Sequence, residues 1–284
     1  MNEDFRAACV IGWPAGHSRS PLIHNYWIRQ HGLAAEYRRE AVPPETFAAF
    51  IASWAERGYV GANVTLPHKE AALKLSQPDD RAEAVGAANT LWLESGALRS
   101  TNTDVEGFIE NLDAAVPGWD SGLASAMVLG AGGAARAVVF ALLHRGAERV
   151  YVANRTFEKA QAFRDRFGDS VKPIRWEEVN GLLAGVQLLA NTTSLGMAGQ
   201  PALEINVSDL PPSAVVTDIV YVPLETPLLA AAKKQGMRTA DGLGMLLHQA
   251  VRGFSLWFGV KPEVTPELRA LVEADLRAGA TAEK

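Results

Sequence analysis

The sequence predicts an α/β protein with parallel strands, divided between two domains. Three observations carry this expectation. Short apolar runs alternate with longer amphipathic segments along most of the chain, the pattern of strands covered by helices. One such run, "AMVLG" at 126–130, leads through a glycine-rich turn into an apolar segment that ends at Gly146, the strand-turn-helix order of a dinucleotide-binding unit. The length, 284 residues with 48% hydrophobic, exceeds the usual size of one domain and supplies apolar material for two cores.

In chain order, the first strand falls in "AACVIG" (7–12). A helix follows in "SPLIHNYWIRQHG" (20–32), where Ser20 can cap, Pro21 suits the first helical position and Gly32 can terminate. A short strand in "EYRREAV" (36–42), a helix in "PETFAAFIASWAERG" (44–58) and a strand in "VGANVT" (60–65) come next, with helical material after Pro67. "NTLWLES" (89–95) and "ALRSTN" (97–102), separated by Gly96, read as a hairpin. From Asp104 the pattern becomes regular strand-helix pairs, with strands in "AMVLG", "RVYVAN" (149–154), "VQLLAN" (186–191) and "AVVTDIV" (214–220). After Gly242 the chain reads as helical to its end, punctuated by Pro262 and Pro266.

Composition excludes several classes of function. The net charge of −5 and the lack of a long Lys/Arg run give no footprint for nucleic acid. The opening "MNEDFRAACVIGWP" lacks a basic segment followed by a sustained apolar one, and no run approaches the roughly 20 apolar residues that span a bilayer. A soluble, cytoplasmic protein without a membrane partner is expected, as a monomer or a homodimer. The single Cys9 cannot form an internal disulfide, and its apolar surroundings suit a small buried side chain. No zinc signature or cysteine cluster is present, so no metal is expected.

The glycine-rich turn carries a specific chemistry. Gly130, Gly132 and Ala135 stand in the spacing G-x-G-x-x-A. The first glycine permits the tight turn, the second lets the backbone approach a pyrophosphate, and the alanine keeps the helix close to the sheet. Ala131, Gly133 and Ala134 complete that turn, where the exposed N–H groups of a helix start attract phosphates. The following strand ends in Asn154, Arg155 and Thr156 rather than in the acidic residue usual for NAD. A guanidinium there offers fork-shaped donors to a 2′-phosphate, which favours NADP. The alternative is an Arg155 that is a surface charge beside a Thr156 that caps the next helix.

Lys69, in "NVTLPHKEAA", stands just inside a helix start, which disfavours an extra positive charge. It reads either as a tolerated surface charge or as a residue placed for proton transfer. Asp104 reads either as the N-cap of "VEGFIENL" or as a partner in that chemistry. His17 and His68 neighbour these residues; His17 is expected to orient its loop, and His68 to line the edge of the site or face solvent.

The segments "GWPAGHSRSP", "GANVTLPHKE", "GAANT", "NTDVEGF", "GAGGAAR", "NRT", "NTTSLGM" and "DGLGMLLHQA" together resemble the shikimate dehydrogenases, from about Val10 to the final helices. The resemblance implies an N-terminal α/β substrate domain (1–104), an inserted Rossmann-type NADP-binding domain (105–242) and C-terminal helices (243–284) that return to the first. It implies reversible hydride transfer between NADPH and 3-dehydroshikimate, with Lys69 as acid/base and Asp104 as its partner. Ser18 and Ser20 would bind the substrate carboxylate, pointing the same way if their segment is extended. Thr65, Asn89, Tyr221 and Gln249 match further substrate positions, and Gly242 matches a cofactor position. Val105 stands where a glycine often follows the aspartate, which touches loop shape more than chemistry. A quinate/shikimate or aminoshikimate-type dehydrogenase is the nearest alternative. A catalytically silent nucleotide sensor is opposed by the presence of both Lys69 and Asp104.

Overall fold

A computed structural model describes residues 5–282. The chain divides into two compact units, one made of residues up to Thr103 with those from Gln249 onward, the other of Asp104–His248.

In the first unit, β1 (Arg6–Gly12) leads through α1 (Ser20–Gln30) to β2 (Ala35–Ala41), then through the short α2 (Phe47–Ala52) to β3 (Tyr59–Val64). β1 lies between β2 and β3 and runs parallel to both. After α3 (Lys69–Lys74), β4 (Gln77–Pro78) and α4 (Asp80–Val85) comes the hairpin of β5 (Thr90–Glu94) and β6 (Ala97–Thr101). Its turn residues, Ser95 and Gly96, have φ of 52° and 81°, the left-handed pair that a two-residue turn matched to strand twist requires. The sheet order is β2-β1-β3-β5-β6-β4, with β5 antiparallel to both neighbours. One side of this sheet packs a core that includes Cys9, Ile11, Phe47, Phe50, Trp54 and Leu91. The single helix expected over 44–58 is instead three pieces, α2 flanked by 3-10 turns at Pro44–Thr46 and Ala55–Arg57. The Ser53 hydroxyl donates to the Phe50 carbonyl at 3.1 Å where α2 ends, a local bond that competes with helix continuation.

In the second unit, α5 (Asp104–Ala115) precedes β7 (Ser125–Leu129), α6 (Gly133–His144), β8 (Arg149–Ala153), α7 (Phe157–Phe167) and β9 (Val171–Ile174). α8 (Val179–Leu182), β10 (Leu188–Asn191), β11 (Val215–Asp218), α9 (Pro227–Lys234) and β12 (Arg238–Ala240) follow. All six strands are parallel in the order β12-β11-β10-β7-β8-β9. This is the doubly wound Rossmann order, in which the direction of winding switches between β7 and β10. β9 and β12 are edge strands of four and three residues that carry Lys172, Pro173 and Arg238. Lacking an apolar run, neither is legible as a strand in the sequence.

α10 (Gly242–Phe258) and α11 (Pro266–Ala282) end the chain. Within the first unit, the Trp257 indole donates to the Leu91 carbonyl at 2.8 Å, and a Cβ on Gly61 would overlap its ring. Glycine in β3 is thus what lets α10 lie against the sheet. Trp27 of α1 donates to the Glu263 carbonyl at 3.0 Å, and Thr265 accepts the Leu268 N–H at 3.3 Å ahead of α11. Among the described residues no helix is long and apolar enough to cross a membrane.

Candidate active site

The glycine turn of the second unit sits at the switch point. Gly130 has φ +104°, a conformation open to glycine, and donates its N–H to the Ala153 carbonyl at 2.7 Å. Across the switch, Thr192 sends both its N–H and its hydroxyl to the Leu129 carbonyl, at 2.8 and 2.6 Å. Beyond the turn the space opens, because a Cβ on Gly132 or Gly133 would meet nothing within 4 Å. Gly132 is the N-cap of α6 and offers no side chain to the first helical N–H groups. Open volume in front of uncapped amide donors fits a pyrophosphate. Ala131 and Ala134 are half-buried, whereas Ala135 is fully buried and brings α6 onto the sheet.

Asn154, Arg155 and Thr156 leave the end of β8, the strand next to that turn. Asn154 donates to the Thr156 carbonyl at 2.9 Å, and Arg155 and Thr156 are exposed. Thr156 occupies the N-cap of α7, but its hydroxyl makes no capping bond. The capping alternative for Thr156 is therefore corrected in its chemistry though not in its place.

A buried carboxylate pins the loops after β10 and β11. Asp218 accepts from Asn191 and the Val220 N–H, both at 3.0 Å, and from the Thr226 hydroxyl at 2.8 Å. Asn191 in turn accepts from the Thr193 N–H and hydroxyl, at 3.0 and 2.7 Å. Burial pushes the Asp218 carboxyl above the ordinary value, and these three donors only partly offset it. Tyr221 follows, half-buried, three residues after the carboxylate. A Cβ on Gly242 would stand 2.7 Å from the Val220 carbonyl, so close approach of two backbones requires glycine there.

In the first unit, polar groups collect where β1 and β3 end and β5 begins. Thr65 donates its N–H to the Ile11 carbonyl at 2.9 Å, and the absent side chain of Gly12 makes room for the Thr65 methyl. Lys69 is the first residue of α3, half-buried, and its carbonyl accepts the Ala88 N–H at 2.9 Å. Asn89 is buried, with its Oδ1 accepting the Thr103 N–H at 2.7 Å, the Thr90 hydroxyl at 3.1 Å and the Thr103 hydroxyl at 3.2 Å. Gln249, also buried, has Oε1 at 3.5 Å from the Thr103 hydroxyl. Ser18 accepts the Ser20 N–H at 3.3 Å, and Ser20 is buried. Tyr37 donates to Asn63 Oδ1 at 2.7 Å. The structure thus links Asn89 and Gln249 through Thr103, and ties the backbones of Thr65 and Lys69 to the strand end and to the residue before Asn89. Asp104, 8% exposed, is the first residue of α5 and counts with the second unit.

Several expectations are corrected. Arg19 has helical backbone angles, so the Ser18–Ser20 segment is not extended and the same-face argument does not hold. Ser20 is not the N-cap: α1 already includes it, and the hydroxyl that meets a helical N–H is that of Ser18. His68 neither lines an edge nor faces solvent; it is 2% exposed, stacked on Phe47 at 4.4 Å and bonded to the Val42 carbonyl at 2.7 Å. His17 is exposed, and its carbonyl accepts from Arg19 at 3.1 Å within the loop it is expected to orient. Cys9 is fully buried, and burial pushes its thiol well up, which suits packing.

Sequence reasoning passed over His24, Tyr37, Asn63, Thr90 and Thr103, which link the expected residues from behind. The available signal was Asn63, a polar side chain within the apolar strand run "VGANVT".

Comparison with known proteins agrees with this geometry. Residues 10–91 match the family described as "Shikimate dehydrogenase substrate binding domain", 118–198 "Shikimate / quinate 5-dehydrogenase", and 242–271 "Shikimate 5'-dehydrogenase C-terminal domain". A protein of Rhodopseudomonas palustris named shikimate dehydrogenase (NADP(+)) is 67% identical over 97% of this chain and 99% of its own. Quinate dehydrogenase from Corynebacterium glutamicum, solved in complex with NAD, superposes with a TM-score of 0.89 at 31% identity, covering 96% of this chain and 100% of that one. Shikimate 5-dehydrogenase from Thermus thermophilus, in complex with NADP(H) and shikimate, gives 0.81 at 34%, covering 96% and 99%. Matched in both units over nearly its whole length, with the glycine turn and the polar cluster in place, the chain belongs to the shikimate/quinate dehydrogenase family.

Proposed function

We propose that this protein is an NADP-dependent shikimate dehydrogenase, which reversibly reduces 3-dehydroshikimate to shikimate on the route to chorismate and the aromatic amino acids. The observation that carries the reading is the gathering of Thr65, Lys69 and Asn89 at one end of the first sheet, in a chain whose second unit holds an open glycine turn followed by Arg155.

Gly130, Ala131, Gly132, Gly133 and Ala134 would hold the pyrophosphate of NADP through backbone amides, while Asn154, Arg155 and Thr156 would take the 2′-phosphate and Gly242 would keep the backbone close. When bound, NADPH supplies the hydride. Lys69 serves as the acid/base: in reduction its ammonium gives a proton to the carbonyl oxygen, which becomes a hydroxyl, and in oxidation its amine takes that proton back. Asp104 acts with it and accepts from a substrate hydroxyl. Ser18 and Ser20 receive the substrate carboxylate, and Thr65, Asn89, Tyr221 and Gln249 hold the ring oxygens. We place the reaction in the cytoplasm.

Initial rates followed by NADPH absorbance, with shikimate and with quinate, and with NADP and with NAD, test the reading. Shikimate with NADP is expected to be the fastest pair. Turnover of quinate with NAD, and none of shikimate with NADP, overturns it.

A further inference from the structure

Behind Asn89 lies a chain of buried hydrogen bonds whose direction can be worked out. The Thr103 backbone N–H is a donor only, so the Asn89 atom 2.7 Å from it is the amide oxygen. The Thr90 hydroxyl, at 3.1 Å, can give its proton to the same oxygen. Thr90 then accepts from Asn63 Nδ2 at 3.3 Å. That nitrogen also faces the Asn89 carbonyl at 3.5 Å, where an oxygen in its place would set two acceptors against each other. Asn63 Oδ1 is left to accept from Tyr37 at 2.7 Å and from His24 Nε2 at 3.2 Å. His24 must therefore carry its proton on Nε2, and its Nδ1 has no hydrogen-bond partner. A bare buried nitrogen is a lighter burden than a buried N–H left unmade.

His24, Asn63 and Thr90 are 0%, 5% and 0% exposed. The chain runs one way, from His24 N–H to Asn63, from Asn63 N–H to Thr90, and from the single Thr90 proton to Asn89 Oδ1, directly at 3.1 Å or through the Thr103 hydroxyl, itself 3.1 Å from Thr90 and 3.2 Å from Asn89. With its oxygen turned to the Thr103 N–H and to the hydroxyls of Thr90 and Thr103, Asn89 presents its amide nitrogen, a donor, on the other side. A substrate hydroxyl or keto oxygen can accept from that group, whereas an ammonium substituent, which only donates, cannot.

We propose that Thr90 is a positioning residue that, with Asn63 and His24, sets Asn89 as a hydrogen-bond donor to a substrate oxygen. The inference rests on the assignment of Asn89 to the substrate site. Thr90→Val keeps the shape and removes the hydroxyl. It is expected to raise KM for shikimate about five- to tenfold, to leave KM for NADP unchanged, and to be rescued by Thr90→Ser. Asn89→Ala separates the two levels of the argument. If Asn89→Ala raises KM for shikimate while Thr90→Val does not, the positioning role is overturned and the substrate site stands. If Asn89→Ala leaves KM for shikimate unchanged, the substrate assignment fails and this inference with it. Equal rises in both KM values in Thr90→Val would signal general disturbance and also overturn the role. Should Thr90→Val not fold, 15N NMR of histidine-labelled wild-type protein decides: the Nε2–H tautomer of His24 supports the chain, and a proton on Nδ1 overturns it.

Discussion

A Cβ placed on Gly130 would stand 2.7 Å from the Thr192 hydroxyl and 3.2 Å from the Thr192 carbonyl carbon. The turn after β7 and the loop after β10 therefore leave each other room for a hydrogen atom and nothing larger. Gly130→Ala meets both this contact and φ +104°, so it is expected to destabilise the second unit by about 1–3 kcal/mol. Because the displaced turn is the one assigned to the pyrophosphate, NADP affinity should fall while the first unit stays folded. Calorimetric titration with NADP, alongside thermal unfolding, measures both effects; unchanged affinity would refute the assignment.

Arg155 is exposed at the end of β8, beside an Asn154 whose amide is engaged with the Thr156 carbonyl. Its proposed task is the 2′-phosphate alone. Arg155→Ala is expected to lower kcat/KM for NADP about tenfold while leaving that for NAD little changed, the size of one charge-assisted hydrogen bond. If the ratio of NADP to NAD efficiency does not fall, the guanidinium is not the discriminating group.

Lys69 opens α3, with its backbone carbonyl tied to Ala88 just before Asn89. This tie is made by the backbone, so Lys69→Ala keeps it. Turnover should fall by about 10²–10⁴, the usual share of a positioned acid/base, with NADP affinity unchanged. Single-turnover rates with shikimate and NADP check this, and near wild-type turnover would remove Lys69 from the proton-transfer role.

The parts of this protein legible in its sequence are those where physics acts locally. The spacing of Gly130, Gly132 and Ala135 follows from a turn that must be tight, open and close to the sheet, and each condition selects its own residue. The hairpin about Gly96 was equally readable because turn conformation is chosen by two residues. His68 was not readable, since its burial against Phe47 and Val42 depends on segments some 20 residues upstream. Ser18 and Ser20 were unreadable for a different reason: Arg19 between them already has helical angles and α1 begins at Ser20, so strand periodicity does not apply. Asn63, Thr90 and Thr103 lie within legible segments, yet their role is to face one another, and facing is set by the antiparallel pairing of β5 with β3 on one side and with β6, which leads to Thr103, on the other. Motif spacing names the residues that meet a ligand more readily than those that stand behind them.

His24 makes the first unit sensitive to acid. It is fully buried and stacked on Tyr37 at 4.2 Å, and burial lowers its pKa from 6.5 to about 3, with the bond to Asn63 opposing only in part. Above pH 6.5 the ring is neutral in folded and unfolded chains alike and adds no pH dependence. Below that, the unfolded chain binds a proton that the native ring refuses, so stability falls by about 1.4 kcal/mol for each pH unit down to about pH 3. Asp218, in the other unit, acts with the opposite sign, because its raised pKa makes the native state hold a proton the unfolded chain has released. Its contribution lessens stability as pH rises from the ordinary carboxylate value to the raised one. His24→Gln retains an N–H that can reach Asn63 but cannot titrate. Between pH 7 and pH 5 it should lose roughly 2 kcal/mol less stability than the wild type, whatever its packing costs at pH 7. Urea unfolding followed by tryptophan fluorescence reads this directly, since Trp27 and Trp257 lie 5.7 and 5.3 Å from the imidazole. Equal slopes in the two proteins would mean that His24 accepts a proton where it stands, and the one-way chain through Asn63 to Asn89 would lose its fixed starting point.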